Sequence, residues 1–167
     1  MINWDSYYLD MLDIVRKRSS DKQTQVATIL VENKRILSTG YNGWPSGIDN
    51  LPDTRQEKYK WMIHGEINAI VNCAFRPTNP ICYITGTPCN VCNKAMWNFG
   101  VRKIISLNQS FKCLNEDDLE VLFKLIEYGL DFNLARKARL EEIGENGINS
   151  CNDYIIKKIL TREDYDS

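Results

Sequence analysis

Apolar residues recur at helical spacing near the start of the chain. Trp4, Tyr7, Tyr8, Met11, Leu12 and Val15 share one side, and Asp5, Asp10, Arg16 and Lys17 occupy the others. Asn3 stands where a helix cap is needed. After a polar break over 18–25, the run 26–32 is rich in Val, Ile and Thr and reads as a strand buried on both faces. Asn33 and Lys34 turn the chain into a second strand over 35–39, making a hairpin. Residues 40–53 are rich in Gly, Pro, Asn and Asp and are expected to be loop, and a charged stretch over 55–60 leads to His64. A helix is predicted over 65–75, with Ile67, Ile70, Val71 and Ala74 on its apolar side and the segment 77–80 as its stop. A strand follows over 81–85. Pro88 suits the first turn of a helix that reaches Phe99 and ends at Gly100. Then come a strand over 101–107, a helix over 116–128 capped by Asn115 and ended by Gly129, and a strand over 131–134. From Arg136 the chain is mostly polar, with one helical stretch at 153–160.

Strands that alternate with helices in the second half imply a parallel stretch of sheet covered by helices, and the opening hairpin makes the sheet mixed. The expected class is α/β with five strands. Composition fits one folded domain: 167 residues, 43% hydrophobic and 26% charged, are enough to bury a core. The domain is expected over 1–135, with 136–167 as a partly helical C-terminal extension packed on it or trailing from it. A net charge of −1 argues against electrostatic wrapping of nucleic acid, while leaving room for a local basic pocket for one phosphate. No apolar run approaches the roughly 20 residues of a membrane span, and nothing near Met1 resembles a signal peptide. A cytoplasmic protein is expected, in which the six cysteines are thiols or metal ligands rather than disulfides.

The one histidine, His64, excludes chemistry that needs two. It begins His64-Gly65-Glu66, and a second motif reads Pro88-Cys89-Asn90-Val91-Cys92. Each sits at the start of a predicted helix. Cys89 and Cys92, three apart, project from one side of a first helical turn. His64 and Glu66, two apart, share no face within a helix, so they converge only on something beyond its end. That places a metal near exposed N–H groups and a positive helix terminus, which favours thiolates. His64, Cys89 and Cys92 are N/S donors of the kind zinc prefers, and three protein ligands leave a fourth position for water. Zinc brings the pKa of such a water towards roughly 7. Glu66 beside it would take the proton and deliver it to a substrate nitrogen, which suits hydrolytic deamination.

These motifs resemble the zinc deaminase signature, His-x-Glu followed by Pro-Cys-x-x-Cys. The segment Gly40-Tyr41-Asn42-Gly43-Trp44-Pro45-Ser46-Gly47 is similar to the Gly-Tyr-Asn-Gly-x-Pro-x-Gly segment of deoxycytidylate (dCMP) deaminases, and the run His64 to Ile70 is similar to their His-Ala-Glu-Leu-Asn-Ala-Ile. The resemblance reaches from about Trp4 to Leu134. It implies a three-layer α/β/α fold of the cytidine deaminase type, one zinc per chain, and hydrolysis of dCMP to dUMP and ammonia with Glu66 as the catalytic residue. It further implies that Asn42 contacts the deoxyribose, that the Gly65 N–H holds the base O2, and that the backbone near Thr87 accepts from the exocyclic amine. Family members are typically homohexamers, and many are activated by dCTP and inhibited by dTTP. The implied partners are therefore dCMP, these effectors and further copies of the chain, hexameric or otherwise dimeric.

Departures from the pattern are Gly65 for the usual Ala, Ala27 for a Gly, and Ser20 and Lys22 for a Lys and a Pro. Lys22, Arg18 and the Gly40, Tyr41 and Gly43 backbone are candidates for binding a phosphate or an effector nucleotide. Cys73, Cys82, Cys113 and Cys151 are expected to be packing residues, and Arg136, Lys137 and Arg139 a solvated face. Alternatives at this point are a deaminase of another cytosine nucleotide such as dCTP, a deaminase of a nucleic-acid base like those of tRNA adenosine, and a zinc-stabilised module without activity.

Overall fold

The computed structural model describes residues 1–48, 54–107, 114–135 and 148–150. Helix α1 (Trp4–Val15) is capped by the Asn3 side chain, which accepts from the Ser6 N–H, and a 3-10 turn over Arg16–Arg18 ends it. Strands β1 (Ala27–Glu32) and β2 (Arg35–Tyr41) form the hairpin, turned by Asn33 and Lys34 at φ 51° and 62°, the left-handed pair of a type I′ turn. Then follow α2 (Arg55–Trp61), α3 (Gly65–Asn72), β3 (Ile81–Ile84), α4 (Asn90–Phe99), β4 (Lys103–Ser106), α5 (Glu116–Glu127), β5 (Asp131–Ala135) and β6 (Ile148–Ser150).

The strands form one sheet in the order β2-β1-β3-β4-β5-β6. β1 runs antiparallel to both β2 and β3, while β3, β4 and β5 are parallel. This is the expected mixed five-stranded sheet. β6 adds a short sixth strand, antiparallel to β5. It comes from the extension, whose expected helix at 153–160 lies outside the described residues, as do Cys113, Cys151, Arg136, Lys137 and Arg139.

Alternation along the strands divides the core in two. Ile29, Val31, Tyr83 and Ile105 pack with Tyr8, Leu9 and Leu12 of α1 on one face. Leu30, Cys82, Ile84, Ile104 and Phe132 pack with Ala69, Met96, Leu122 and Ile126 of α3, α4 and α5 on the other. The result is the three-layer α/β/α arrangement.

Four boundaries differ from the sequence expectations. The charged stretch before His64 is helix α2, which a window of seven residues with little apolar periodicity conceals. α3 stops at Asn72 rather than Phe75, with Cys73 leaving helical geometry at ψ 124°. Pro88 lies outside α4, because Cys89 is itself the extended N-cap at ψ 172°. Gly40 and Tyr41 belong to β2, paired with Thr28 and Ala27, rather than to a loop.

Candidate active site

The site forms at one end of the sheet, where β2 ends, β1 begins and β3 runs out into α4. His64 is the N-cap of α3, with extended backbone at φ −68°, ψ 150°. Standing outside the helix frees its ring from the helical spacing. Its imidazole and the carboxyl of Glu66, two residues on, can therefore face the same centre. Cys89 is likewise the N-cap of α4, and Cys92 lies in that helix's first turn. Two positive helix ends are thus brought together. His64 Nδ1 lies 3.5 Å from Cys89 Sγ and 3.3 Å from Cys92 Sγ, and the three ligand atoms all lie within 4.8 Å of one another. A tetrahedral zinc with N and S donors holds its ligand atoms about 3.5 Å apart. The donor set and its spacing fit that ion.

Electrostatics follow from the crowding. A hydrogen bond from Cys92, helped by the His64 contact and opposed by burial, leaves the Cys89 thiol at about 4. The same thiol–thiol contact, together with burial, pushes Cys92 up. The Cys89 contact raises His64 against its burial. Glu66 is buried, and burial raises its carboxyl above the ordinary range, against the pull of its own N–H and of His64. The neighbouring Cys92 side chain also lowers it.

Close stitching of α3 to β2 positions His64 and Glu66. Asn68 Nδ2 donates to the Tyr41 carbonyl at 2.8 Å, Ser38 Oγ to the Ala69 carbonyl at 2.6 Å, and Asn72 Nδ2 to the Thr39 carbonyl at 2.9 Å. At Gly40 an added Cβ would lie 2.1 Å from the Gly65 carbonyl oxygen and 2.3 Å from the Ala69 nitrogen. Only glycine lets the strand approach the helix this closely. Gly43 exchanges backbone hydrogen bonds with Ile63, at 3.1 and 2.9 Å, beside His64.

Asn42 is buried and holds the loop 19–26. Its Oδ1 accepts from the Val26 N–H at 2.8 Å and from Ser19 Oγ at 2.7 Å, and its Nδ2 donates to the Thr24 carbonyl at 2.7 Å. Lys22 and Arg18 are exposed on and beside this loop. Thr87 lies between β3 and α4, and its Oγ1 is buried without a hydrogen-bond partner among the described residues.

Two pairings have no signal in the sequence, although Lys58 itself stands where similar proteins have a like residue. Lys58 of α2 and Asp21 form an ion pair of 2.9 Å with side chains 3% and 1% exposed. Burial raises the Asp21 carboxyl, but the Lys58 hydrogen bond and the Gln23 and Thr24 N–H groups outweigh it and hold the group below its ordinary value. Asp118 of α5 is buried, and its carboxyl accepts from Asn90 at the start of α4. The Asn90 and Asn115 N–H groups and the Asn90 amide overcome burial and lower it. Both pairs join segments far apart in sequence, and no local pattern announces them.

Residues 2–108 match the family described as the cytidine and deoxycytidylate deaminase zinc-binding region. Deoxycytidylate deaminase of Mus musculus is 32% identical over 136 residues, which are 74% of this chain and 76% of that protein. An uncharacterized deaminase of Aliivibrio fischeri is 30% identical over 109 residues, 64% of this chain and 74% of that protein. Among solved structures, the dCMP deaminase of cyanophage S-TIM5 in complex with dCMP and dUMP superposes with a TM-score of 0.65 at 26% identity, covering 78% of this chain and 95% of that one. The match over residues 2–108 and the likeness to the murine enzyme show the family: the chain belongs to the cytidine and deoxycytidylate deaminases, a family of deaminase enzymes.

Proposed function

We propose that the chain hydrolyses dCMP to dUMP and ammonia, with one zinc held by His64, Cys89 and Cys92. The observation that carries this is the convergence of those three donor atoms within 4.8 Å beside the buried carboxyl of Glu66. Zinc, when bound, supplies a water acidified to near neutral pH. Glu66 would take a proton from that water and deliver it to N3 of the cytosine ring as the water oxygen bonds to C4. It would then carry the second proton to the amino group as the C4–N bond breaks, so that one water is consumed and one ammonia released. Burial suits the carboxyl to this shuttle, because a raised pKa lets it hold a proton between steps.

The Gly65 N–H, the first of α3 and without an acceptor inside the helix, is assigned to the base O2. The Thr87 hydroxyl, unpartnered among the described residues, supports the 85–88 segment as a second contact to the base, with the backbone near Thr87 accepting from the exocyclic amine. One of the two Asn42 amide N–H donors goes to Thr24, and we assign the other to the deoxyribose. Arg18 and Lys22, both exposed, are assigned to a phosphate of substrate or of a dCTP or dTTP effector. Gly40, Tyr41 and Gly43 are candidates for the same role, Gly40 beside its packing task against α3. Exposed apolar residues on α1, Trp4, Tyr7 and Ile14, support assembly into a homo-oligomer, hexameric or otherwise dimeric. Among the described residues no helix is long and apolar enough to cross a membrane, and the enzyme is assigned to the cytoplasm.

The relatives named for deoxycytidylate and the neighbour that binds dCMP and dUMP support dCMP over other cytosine nucleotides. A deamination assay on dC, dCMP and dCTP, each with and without added dCTP and dTTP, tests this. Turnover of dCMP at least tenfold above the other two is expected. Equal or faster turnover of dCTP overturns the assignment of substrate.

A further inference from the structure

The zinc-ligating turn of α4 begins at Cys89, an N-cap residue whose side chain makes no capping hydrogen bond. The first N–H groups of a helix have no acceptor within it, so the Asn90 N–H needs one from elsewhere. Asp118 supplies one from a different helix. Its Oδ1 accepts from the Asn90 N–H and from Asn90 Nδ2, both at 2.7 Å. Its Oδ2 accepts from the Asn115 N–H at 3.0 Å, while its own N–H donates to Asn115 Oδ1 at 2.8 Å. The second oxygen and the N–H complete the capping box of α5. The first oxygen has no part in that box and, among the described residues, bonds to Asn90, the residue after Cys89. The carboxyl is buried, at 4% exposure, so water does not compete for either contact.

We propose that Asp118 is a positioning residue for the metal centre, fixing the Cys89–Cys92 turn by anchoring Asn90 to the start of α5. The inference rests on the zinc reading of His64, Cys89 and Cys92. A carboxylate that only caps α5 would need one oxygen. The other ties the end of α4 that carries both thiolates to a helix that carries no ligand. Loss of this tie lets the Cys89 end of the turn move against His64, which sits on α3. Groups that hold metal ligands in place in this way typically contribute about ten- to hundredfold to metal affinity.

The test separates the two oxygens. Asp118→Ala removes both contacts. Asn90→Pro removes only the α4 side: proline has no N–H, is tolerated at the first helical position, and requires before it the extended backbone that Cys89 already has. Asn115→Ala disturbs only the α5 side. Zinc affinity is measured by competition with a chromophoric chelator, and the geometry of the site by the visible spectrum of the cobalt-substituted protein. Asp118→Ala and Asn90→Pro are expected to weaken zinc by about ten- to hundredfold and to shift the cobalt bands. Asn115→Ala is expected to lose thermal stability while binding zinc within about twofold of the parent. Should Asp118→Ala fail to fold, Asn90→Pro carries the comparison. A parent chain that binds no zinc overturns the zinc reading itself. A parent that binds zinc while Asn90→Pro binds it equally well, with an unchanged cobalt spectrum, overturns the role of Asp118 alone.

Discussion

Gly40 and Gly65 face each other across the contact between β2 and α3, and they have opposite tolerances. A Cβ at Gly40 would meet backbone atoms at 2.1 and 2.3 Å, whereas a Cβ at Gly65 would meet its nearest neighbours, Gly40 O and Tyr41 Cα, at 3.4 Å. Gly40→Ala must push the helix off the strand and should destabilise the chain by about 3 kcal/mol or more. Gly65→Ala fits, and should stabilise it by about 0.5–1 kcal/mol through the lost freedom of the unfolded chain. Chemical denaturation of the two variants beside the parent reads both values. An Ala at 65 that destabilises by more than 1 kcal/mol would show the contact to be tighter than these distances. The clustering of His64, Cys89 and Cys92 was legible in the sequence because metal chemistry demands particular residue types at short spacing. Gly40 was legible only as part of a recognisable segment. Its physical task, a close approach to a helix that begins twenty-five residues later, appears only in three dimensions.

Among the elements, α2 and the loop 19–26 illustrate what local patterning does not carry. α2 has one buried side chain of note, and it is a lysine. Lys58 meets Asp21 across thirty-seven positions, and Gln23 Oε1 receives a second hydrogen bond from Lys58 at 3.3 Å. Lys58→Met leaves the Asp21 carboxylate buried with only its two backbone N–H donors, and should cost about 3 kcal/mol, the low end for a broken buried pair. The sign of the pH dependence follows from the direction of the Asp21 shift. Its folded-state pKa lies below the unfolded value, so the pair's contribution is fully present above about pH 4 and is lost as pH falls through the lower, folded pKa. Denaturation midpoints measured from pH 7 down to pH 3 should fall for the parent and fall less steeply for Asp21→Asn. Equal slopes would show that Asp21 contributes nothing to acid sensitivity. The helices and strands with strong apolar periodicity, α1, β1 and α5, were predicted to within a residue or two. Errors gathered where a side chain replaced the usual end signal: Cys89 took the cap position in place of a polar residue, and the last turn predicted for α3 lost its helix at Cys73.

For the molecule as a whole, the sheet gathers the functional parts at one end. β2 delivers Gly40 to Gly43, α3 delivers His64 and Glu66, the outlet of β3 delivers Thr87 and Cys89, and α5 reaches back through Asp118. The parallel order of β3, β4 and β5 was legible in the alternation of strands and helices. The grouping of loops at this end follows from that order, because the parallel strands all run out on the same side. The central claim is that this end of the sheet carries out hydrolysis, with Glu66 moving the protons and the three ligands holding the metal. Its most direct test is dCMP turnover by the zinc-loaded chain beside Glu66→Gln, with the zinc content of both determined. Conversion of dCMP to dUMP by the parent is expected. Glu66→Gln should keep one zinc per chain and lose about a thousandfold or more in rate, within the range of an acid–base group. A Glu66→Gln chain that holds its zinc and deaminates dCMP within tenfold of the parent would contradict the account.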